Sequence, residues 1–235
     1  IRLKLLTQNG RPLTAYQYRP RADGLRVVLT FSDASRRVGS FFGAAGGWFY
    51  LWETSTIYFF AVKWQESHVE ACNIGELEMK AAEITARLAD DVVRAIESTK
   101  GVAPQRYYCY SFGDTEAVFR HCLNSLHSRR HGMRWLTRQR AEMEAGLDRL
   151  CAAVSVKREE NGPADALANL ERDKFVQSLR AIAPLARFQE LPVPHAYYDL
   201  APLLRWKRNG AEWVNVRCRR GAEGLGQSGS SGARS

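Results

Sequence analysis

A serine hydroxyl becomes a nucleophile only when a base takes its proton, and that base needs a carboxylate to fix its tautomer. This chain supplies the three groups in the order serine, acid, histidine. Ser111 stands in Arg106-Tyr107-Tyr108-Cys109-Tyr110-Ser111-Phe112-Gly113-Asp114-Thr115-Glu116-Ala117, which reads as an aromatic strand, a tight corner and a helix. The corner carries x-S-x-G, with Gly113 allowing close backbone approach and Cys109 standing where a first glycine would be expected. Asp165 and Asp173 fall in the following helical stretch, and His195 falls in the loop Pro192-Val193-Pro194-His195. Such a trio would carry out acyl transfer, with an oxyanion held by backbone N–H groups near the serine.

The elements that must position these groups can be read from hydrophobic periodicity. Residues 1–22 suggest a hairpin around Asn9-Gly10. Leu25 to Phe31 is rich in β-branched and apolar residues and reads as a buried strand ending in the polar loop Ser32-Asp33-Ala34-Ser35. Gly39 to Gly47 is glycine-rich but lacks the spacing of a phosphate loop. Ser55 to Val62 is a second buried strand, followed by a polar loop containing Trp64 and His68. Leu77, Ala81, Ile84, Leu88, Val92 and Ile96 recur at helical spacing and predict a helix over 76–98. Gln105 to Tyr110 is a third strand, and 114–127 is helical. After it come a basic helical stretch over 128–150, a strand over 151–156, a turn at 159–163, a helix over 164–182, a strand over 186–191 and a final helix over 197–206. Trp213 to Val216 would add a short strand.

Alternating strands and helices argue for an α/β fold with a mostly parallel sheet flanked by helices. In such sheets ligands sit beyond the carboxyl ends of the strands, which places the Ser32 loop, the Trp64 loop and the Ser111 corner on one edge. The expected organisation is a single domain over 1–220, with 128–160 as a cap or irregular insertion and a Gly/Ser-rich disordered tail over 221–235.

Bulk properties narrow the choices. The 235 residues are 45% hydrophobic and 25% charged, within the range of globular chains. No apolar run is long enough to span a bilayer. The five cysteines are scattered, with no zinc-ligand spacing. No metal and no cofactor are therefore expected. Reduced thiols and the lack of a signal-like segment point to a cytoplasmic location. The net charge of +9 is concentrated in Arg129, Arg130, Arg134, Arg138 and Arg140 and in a second cluster from Arg205 to Arg220. Without a recognisable nucleic-acid-binding motif, a solvated basic face is preferred to nucleic-acid contact.

Phe31-Ser32 after the first strand, Trp64-Gln65 after the second and Tyr107-Tyr108-Cys109-Tyr110-Ser111-Phe112-Gly113 together resemble the α/β-hydrolase superfamily, in particular small bacterial serine esterase-like proteins. The stretch from Asp173 to His195, continuing to Gly210, is similar to the acid-to-histidine tail of that group. The resemblance implies a three-layer hydrolase sandwich in which Ser111 is the nucleophile, His195 the base and Asp173 the orienting acid, with Asp165 as the alternative. It implies an oxyanion hole from Phe112 and Ser32 (or Asp33), Trp64 lining the substrate pocket, and a small-molecule ester or acyl substrate. Cys109 and Asp114 depart from the family pattern, and Asp114 sets negative charge beside the anion hole. The alternative expectation is therefore an inactive hydrolase-like binding or assembly protein.

Overall fold

The computed structural model describes residues 26–37, 42–51, 53–103, 107–123, 131–146 and 149–209. The expected hairpin over 1–22, the strand at 213–216 and the tail over 221–235 lie outside them. Six strands form one sheet in the order β5-β4-β1-β2-β3-β6, comprising β1 (Arg26–Arg37), β2 (Phe42–Leu51), β3 (Thr56–Lys63), β4 (Tyr107–Gly113), β5 (Arg149–Ser155) and β6 (Arg187–Glu190). The pairs β1·β4, β4·β5 and β3·β6 are parallel, while β1·β2 and β2·β3 are antiparallel. The chain is thus α/β with a mixed sheet. The expected α/β-hydrolase arrangement is corrected here, because its first three strands form an antiparallel meander.

The reversal comes from the glycine-rich segment expected to be a loop. It is the strand β2, and its small residues admit helices on both faces. A Cβ at Gly46 would overlap the backbone of Leu167 and Ala168, whereas one at Gly47 would overlap Thr85 and Phe60 from the other side. Consecutive strand residues face opposite sides, so a Gly-Gly pair opens both faces at one level of the sheet.

On one face lie α1 (Glu66–Glu70), α2 (Ile74–Thr99), α3 (His131–Gly146) and a helix over 201–209. Their core joins Val28, Phe49, Phe60, Tyr107 and Cys109 of the sheet to Leu77, Ile84, Leu136 and Leu203. On the other face lie α4 (Gly162–Ala168) and α5 (Arg172–Arg180), where Phe31, Trp48, Phe59 and Phe112 meet Leu167, Phe175 and Leu179. Phe31 stacks between Trp48 and Phe112, with ring centroids 4.4 Å and 4.8 Å away. Each such buried aromatic contributes about 1.5–3 kcal/mol over its exposed state.

The helix predicted over 76–98 is α2. Asn73 starts it with a capping box, its side chain accepting from the Glu76 N–H while Glu76 accepts from the Asn73 N–H. The single helix expected over 164–182 is two. Leu170 takes φ 62° and breaks it, and the Glu171 N–H turns back to the Ala166 carbonyl. That break frees α4 to run as a short separate unit across β1 and β2.

Candidate metal centre

Two adjacent parallel strands deliver two carboxylates to the same level. Phe31 of β1 pairs with Phe112 of β4, so Asp33, still inside β1, and Asp114, just past the end of β4, each stand two residues beyond that pair. The first turns of α2 bring Glu78 over that edge. Ligand oxygens from Asp33, Glu78 and Asp114 all lie within 4.8 Å of one another. Asp165, on α4, is near enough for its charge to raise the pKa of both Asp33 and Asp114.

The electrostatics record the crowding. Burial, then the charges of Asp114 and Glu78, push Asp33 up to about 8 from 3.8. Burial pushes Glu78 up to about 7, partly offset by its hydrogen bond to Thr115, with the Asp114 charge adding to the rise. Asp114 is also raised, chiefly by burial, against the lowering effect of Arg158. Carboxylates gathered in a low-dielectric site without compensating cations resist ionisation. The second oxygen of Glu78 is buried and has no hydrogen-bond partner among the described residues. Buried orphan acceptors are costly, at about 1–3 kcal/mol, and call for an occupant. An oxygen-only donor set with an orphaned carboxylate oxygen fits a hard divalent cation such as Mg²⁺ or Mn²⁺.

The loop between β5 and α4 is fastened to both acid-bearing strands. The Val156 N–H donates to the carbonyl of Gly113, the residue before Asp114, at 2.9 Å. The buried Asn161 side chain donates to the carbonyl of Ser32, the residue before Asp33, at 3.1 Å. Between these anchors sits Arg158, its guanidinium 3.8 Å from the Asp165 carboxylate and its side chain 79% exposed.

The residues expected to form a triad do not meet. Ser111 lies inside β4, not at a corner after it, because the strand continues to Gly113. Its hydroxyl is buried, 3.2 Å from the Thr30 hydroxyl and 3.2 Å from the buried Arg140 guanidinium. Ser111 faces the α2–α3 layer, whereas Asp173 is exposed on α5 across the sheet. His195 is the exposed first residue of the short helix α6 (His195–Tyr198), with its ring against Tyr198. Phe112 and Ser32 are paired within the sheet, Phe112 with Phe31 and Val154 and Ser32 with Gly47, so their backbones form no open oxyanion hole. Trp64, expected to line a substrate pocket, is buried and its indole N–H donates to the Tyr198 carbonyl at 3.0 Å. Asp165 alone of the expected acids reaches a cluster of functional groups, and that cluster contains no serine. This placement overturns the serine-esterase expectation and its ester substrate, and the inactive hydrolase-like alternative falls with the mixed sheet, whose antiparallel β1-β2-β3 meander is not the α/β-hydrolase arrangement.

A buried serine that bridges Thr30 and Arg140 has a structural role. Ser111→Ala is expected to cost about 1.5–3 kcal/mol of stability, the worth of a lost hydrogen bond to a charged group, here the buried Arg140 guanidinium. A fluorophosphonate probe should label neither the parent nor the variant; labelling of the parent at Ser111 would contradict this placement.

Asp33, Glu78 and Asp114 went unrecognised as a group because each has an ordinary local explanation: a loop acid, a helix acid and a helix cap. The available signal was that Ser32-Asp33 and Gly113-Asp114 both end apolar strands expected to lie side by side. Glu78 carried no such signal, since α2 also holds Glu76, Glu83 and Glu97.

No family model matches this chain, and no curated protein matches it. Solved structures do. One is ribonuclease H1 from the halophilic archaeon Halobacterium salinarum, at 18% identity over 63% of this chain and 98% of that one, with a TM-score of 0.42. Another is LC11 ribonuclease H1 in complex with an RNA/DNA hybrid, at 14% identity over 63% of this chain and 99% of that one, with a TM-score of 0.46. A third is the N-terminal ribonuclease H domain of a Mycobacterium tuberculosis protein, at 18% identity over 65% and 98%, with a TM-score of 0.38. Among the described residues no helix is long and apolar enough to cross a membrane.

Proposed function

We propose that this protein is a metal-dependent nuclease of ribonuclease H-like architecture that hydrolyses phosphodiester bonds in nucleic acid. The observation that carries this reading is the convergence of Asp33, Glu78 and Asp114 within 4.8 Å, with the orphaned Glu78 oxygen among them. These three would hold the cation, and Asp165 would complete the acidic wall. A divalent cation bound there supplies Lewis acidity and charge neutralisation at a phosphate oxygen.

The chain's own groups do the rest. The sheet edge sets Asp33 and Asp114 at one level, and α2 excludes water from the Glu78 side. Arg158 stands over the acids on a loop whose two ends are tied down. Its pairing with Asp165 is long and solvent-exposed, and such pairs contribute about 0–1 kcal/mol. The guanidinium is therefore free in energy to turn onto a phosphate, which it can bind in a bidentate manner. The net charge of +9, assigned from the sequence to a solvated face, is assigned here to contact with a nucleic-acid backbone.

The test is cleavage of end-labelled RNA/DNA hybrid, duplex RNA, duplex DNA and single strands with Mg²⁺ or Mn²⁺. Cation-dependent cutting of at least one of these is expected; a folded protein inert on all of them would contradict the reading. Arg158→Ala should lower kcat/KM about tenfold or more, the worth of one charge-assisted hydrogen bond. Mn²⁺ affinity, read by titration calorimetry, should not weaken, because a competing cation has been removed. An unchanged kcat/KM would remove Arg158 from the site.

A further inference from the structure

Beside the carboxylates, on the β5 side of Asp114, lies an open cleft of about 470 Å³. Its lining includes Glu116 and Arg120 on one wall and Ser155, Val156 and Lys157 on the other. In the first wall, Arg120 lies in a π-helical turn over Ala117–Leu123, which begins three residues after Asp114, and Glu116 directly precedes that turn. Turns of this kind are rare and concentrate at functional positions. Its packing is tight, because a Cβ at Gly113 would run into the Phe119 ring, and Phe119 is fully buried. The second wall is the start of the loop anchored by Val156 to Gly113. Both walls are thus fixed to Gly113, the last residue of β4 and the one before Asp114.

Charge gives the cleft its preference. Arg120 pairs with Glu116 at 2.6 Å, but the two side chains are 68% and 59% exposed. A pair so exposed is worth little and can be exchanged for a stronger anion. Lys157 is exposed at the opposite wall. The cleft therefore holds two cations against one carboxylate, next to a wall of acids that would repel a phosphate unless a cation were bound. Lys157 and Arg158 are consecutive on one fixed loop, the first lining the cleft and the second standing at Asp165.

We propose that this cleft is a second phosphate subsite, formed by Arg120 and Lys157, that takes a backbone phosphate of the same strand whose neighbouring phosphate lies at the carboxylates. This rests on the nuclease reading. The subsite sets how the strand crosses the sheet edge, so it contributes to strand binding and register more than to the chemical step.

The experiment uses the full chain as Arg120→Ala, Lys157→Ala and the double variant. Thermal melts should agree with the parent within about 2 °C, since both side chains are exposed. Binding of a fluorescein-labelled hybrid, and of its separate strands, is followed by anisotropy in EDTA over a salt series, and cleavage is followed with Mg²⁺. In the double variant Kd and KM should rise about tenfold or more while kcat stays within about threefold. The slope of log K against log salt should become shallower by about 1–2, as expected for the loss of one or two phosphate contacts. Unchanged Kd, KM and salt slope would overturn the subsite. Competition by inorganic phosphate at millimolar concentration, with strand affinity unaffected by either substitution, would mark a free-anion site and overturn it as well. A parent that binds strands through Arg120 and Lys157 yet cuts none would sustain the subsite and sink the nuclease reading, so the two failures are distinguishable.

Discussion

Asp33→Asn is expected to abolish nucleic-acid cleavage while making the protein more stable. Asp33 is buried, at 8% exposure, and Asp114, Glu78 and Asp165 all add to its raised pKa. Removing its charge removes a cation ligand. A loss of roughly a thousandfold or more in kcat/KM is expected, or about 4 kcal/mol of transition-state stabilisation. Stability moves the other way. The folded pKa is about 8 and the ordinary value is 3.8, so between these limits the folded state binds more protons than the unfolded one. Stability of the cation-free protein therefore falls as pH rises from about 4 to about 8. Glu78, raised to about 7, adds to the same trend. Asparagine carries no such penalty and relieves its neighbours. Its Tm at pH 8 should exceed the parent's by roughly 4–8 °C, corresponding to about 2 kcal/mol in a chain of this size. The gap should narrow towards pH 4, and Mg²⁺ should raise the Tm of the parent more than that of the variant. A variant less stable than the parent at pH 8, with the parent's Tm rising with pH, would contradict the assigned electrostatics.

Gly46→Ala is expected to cost more stability than any exposed substitution and to remove activity with it. Gly46 pairs with Asp33 across β1 and β2, and a methyl there would strike the backbone of Leu167 and Ala168 on α4. A facing side chain could rotate away, but a facing backbone cannot. Overpacking of this kind costs about 1–3 kcal/mol and occasionally more, and the upper end applies here. Any relief must push α4 off the sheet, and α4 carries Asp165. The buried Asn161, which precedes α4 and holds Ser32, would be pulled with it. Gly162→Ala is the control. Nothing lies within 4 Å of a Cβ at Gly162, so alanine at the first residue of α4 should be neutral or stabilise by about 0.4–1 kcal/mol. Chemical denaturation of the two variants should give shifts of opposite or very different size. Equal, small effects would show that α4 does not press on Gly46.

Much of this fold was legible in the residues. The apolar strand at Ser55–Val62, the amphipathic helix over 76–98 and the late strand over 186–191 stand in the structure within a few residues of their expected ends, while the strand expected over Leu25–Phe31 runs on to Arg37, through the segment expected to be a polar loop. As expected, β1, β3 and β4 run the same way. Other parts were hidden for physical reasons. Glycines at 43, 46 and 47 weaken the local signal for a strand, and their cause is long-range: three helices approach the sheet there, through Val69, Leu167 and Thr85. Misreading β2 as a loop turned an antiparallel meander into a parallel series. The serine motif misled because Tyr107–Phe112 has the composition of a strand followed by a turn, and only the sheet pairing of β4 with β1 and β5 shows that Ser111 is still inside it. The candidate metal centre is split over β1, α2 and the residue after β4, with Asp165 of α4 near it. Its three carboxylates come from residues 33, 78 and 114, and no spacing rule connects them. Asp114 was noticed only as an obstacle to an oxyanion, although the property that made it an obstacle there is the one that suits it to a cation.

The measurement that bears most directly on the central claim is Mg²⁺-initiated cleavage of an end-labelled RNA strand within an RNA/DNA hybrid, run with the parent and Asp33→Asn side by side. The predicted result is a cleavage rate in the parent that rises and saturates with Mg²⁺, and that falls about a thousandfold or more in a variant that remains fully folded. Cleavage at equal rates by both proteins, or cleavage by the parent that persists unchanged in EDTA, would contradict the assignment of the carboxylates as a catalytic metal centre.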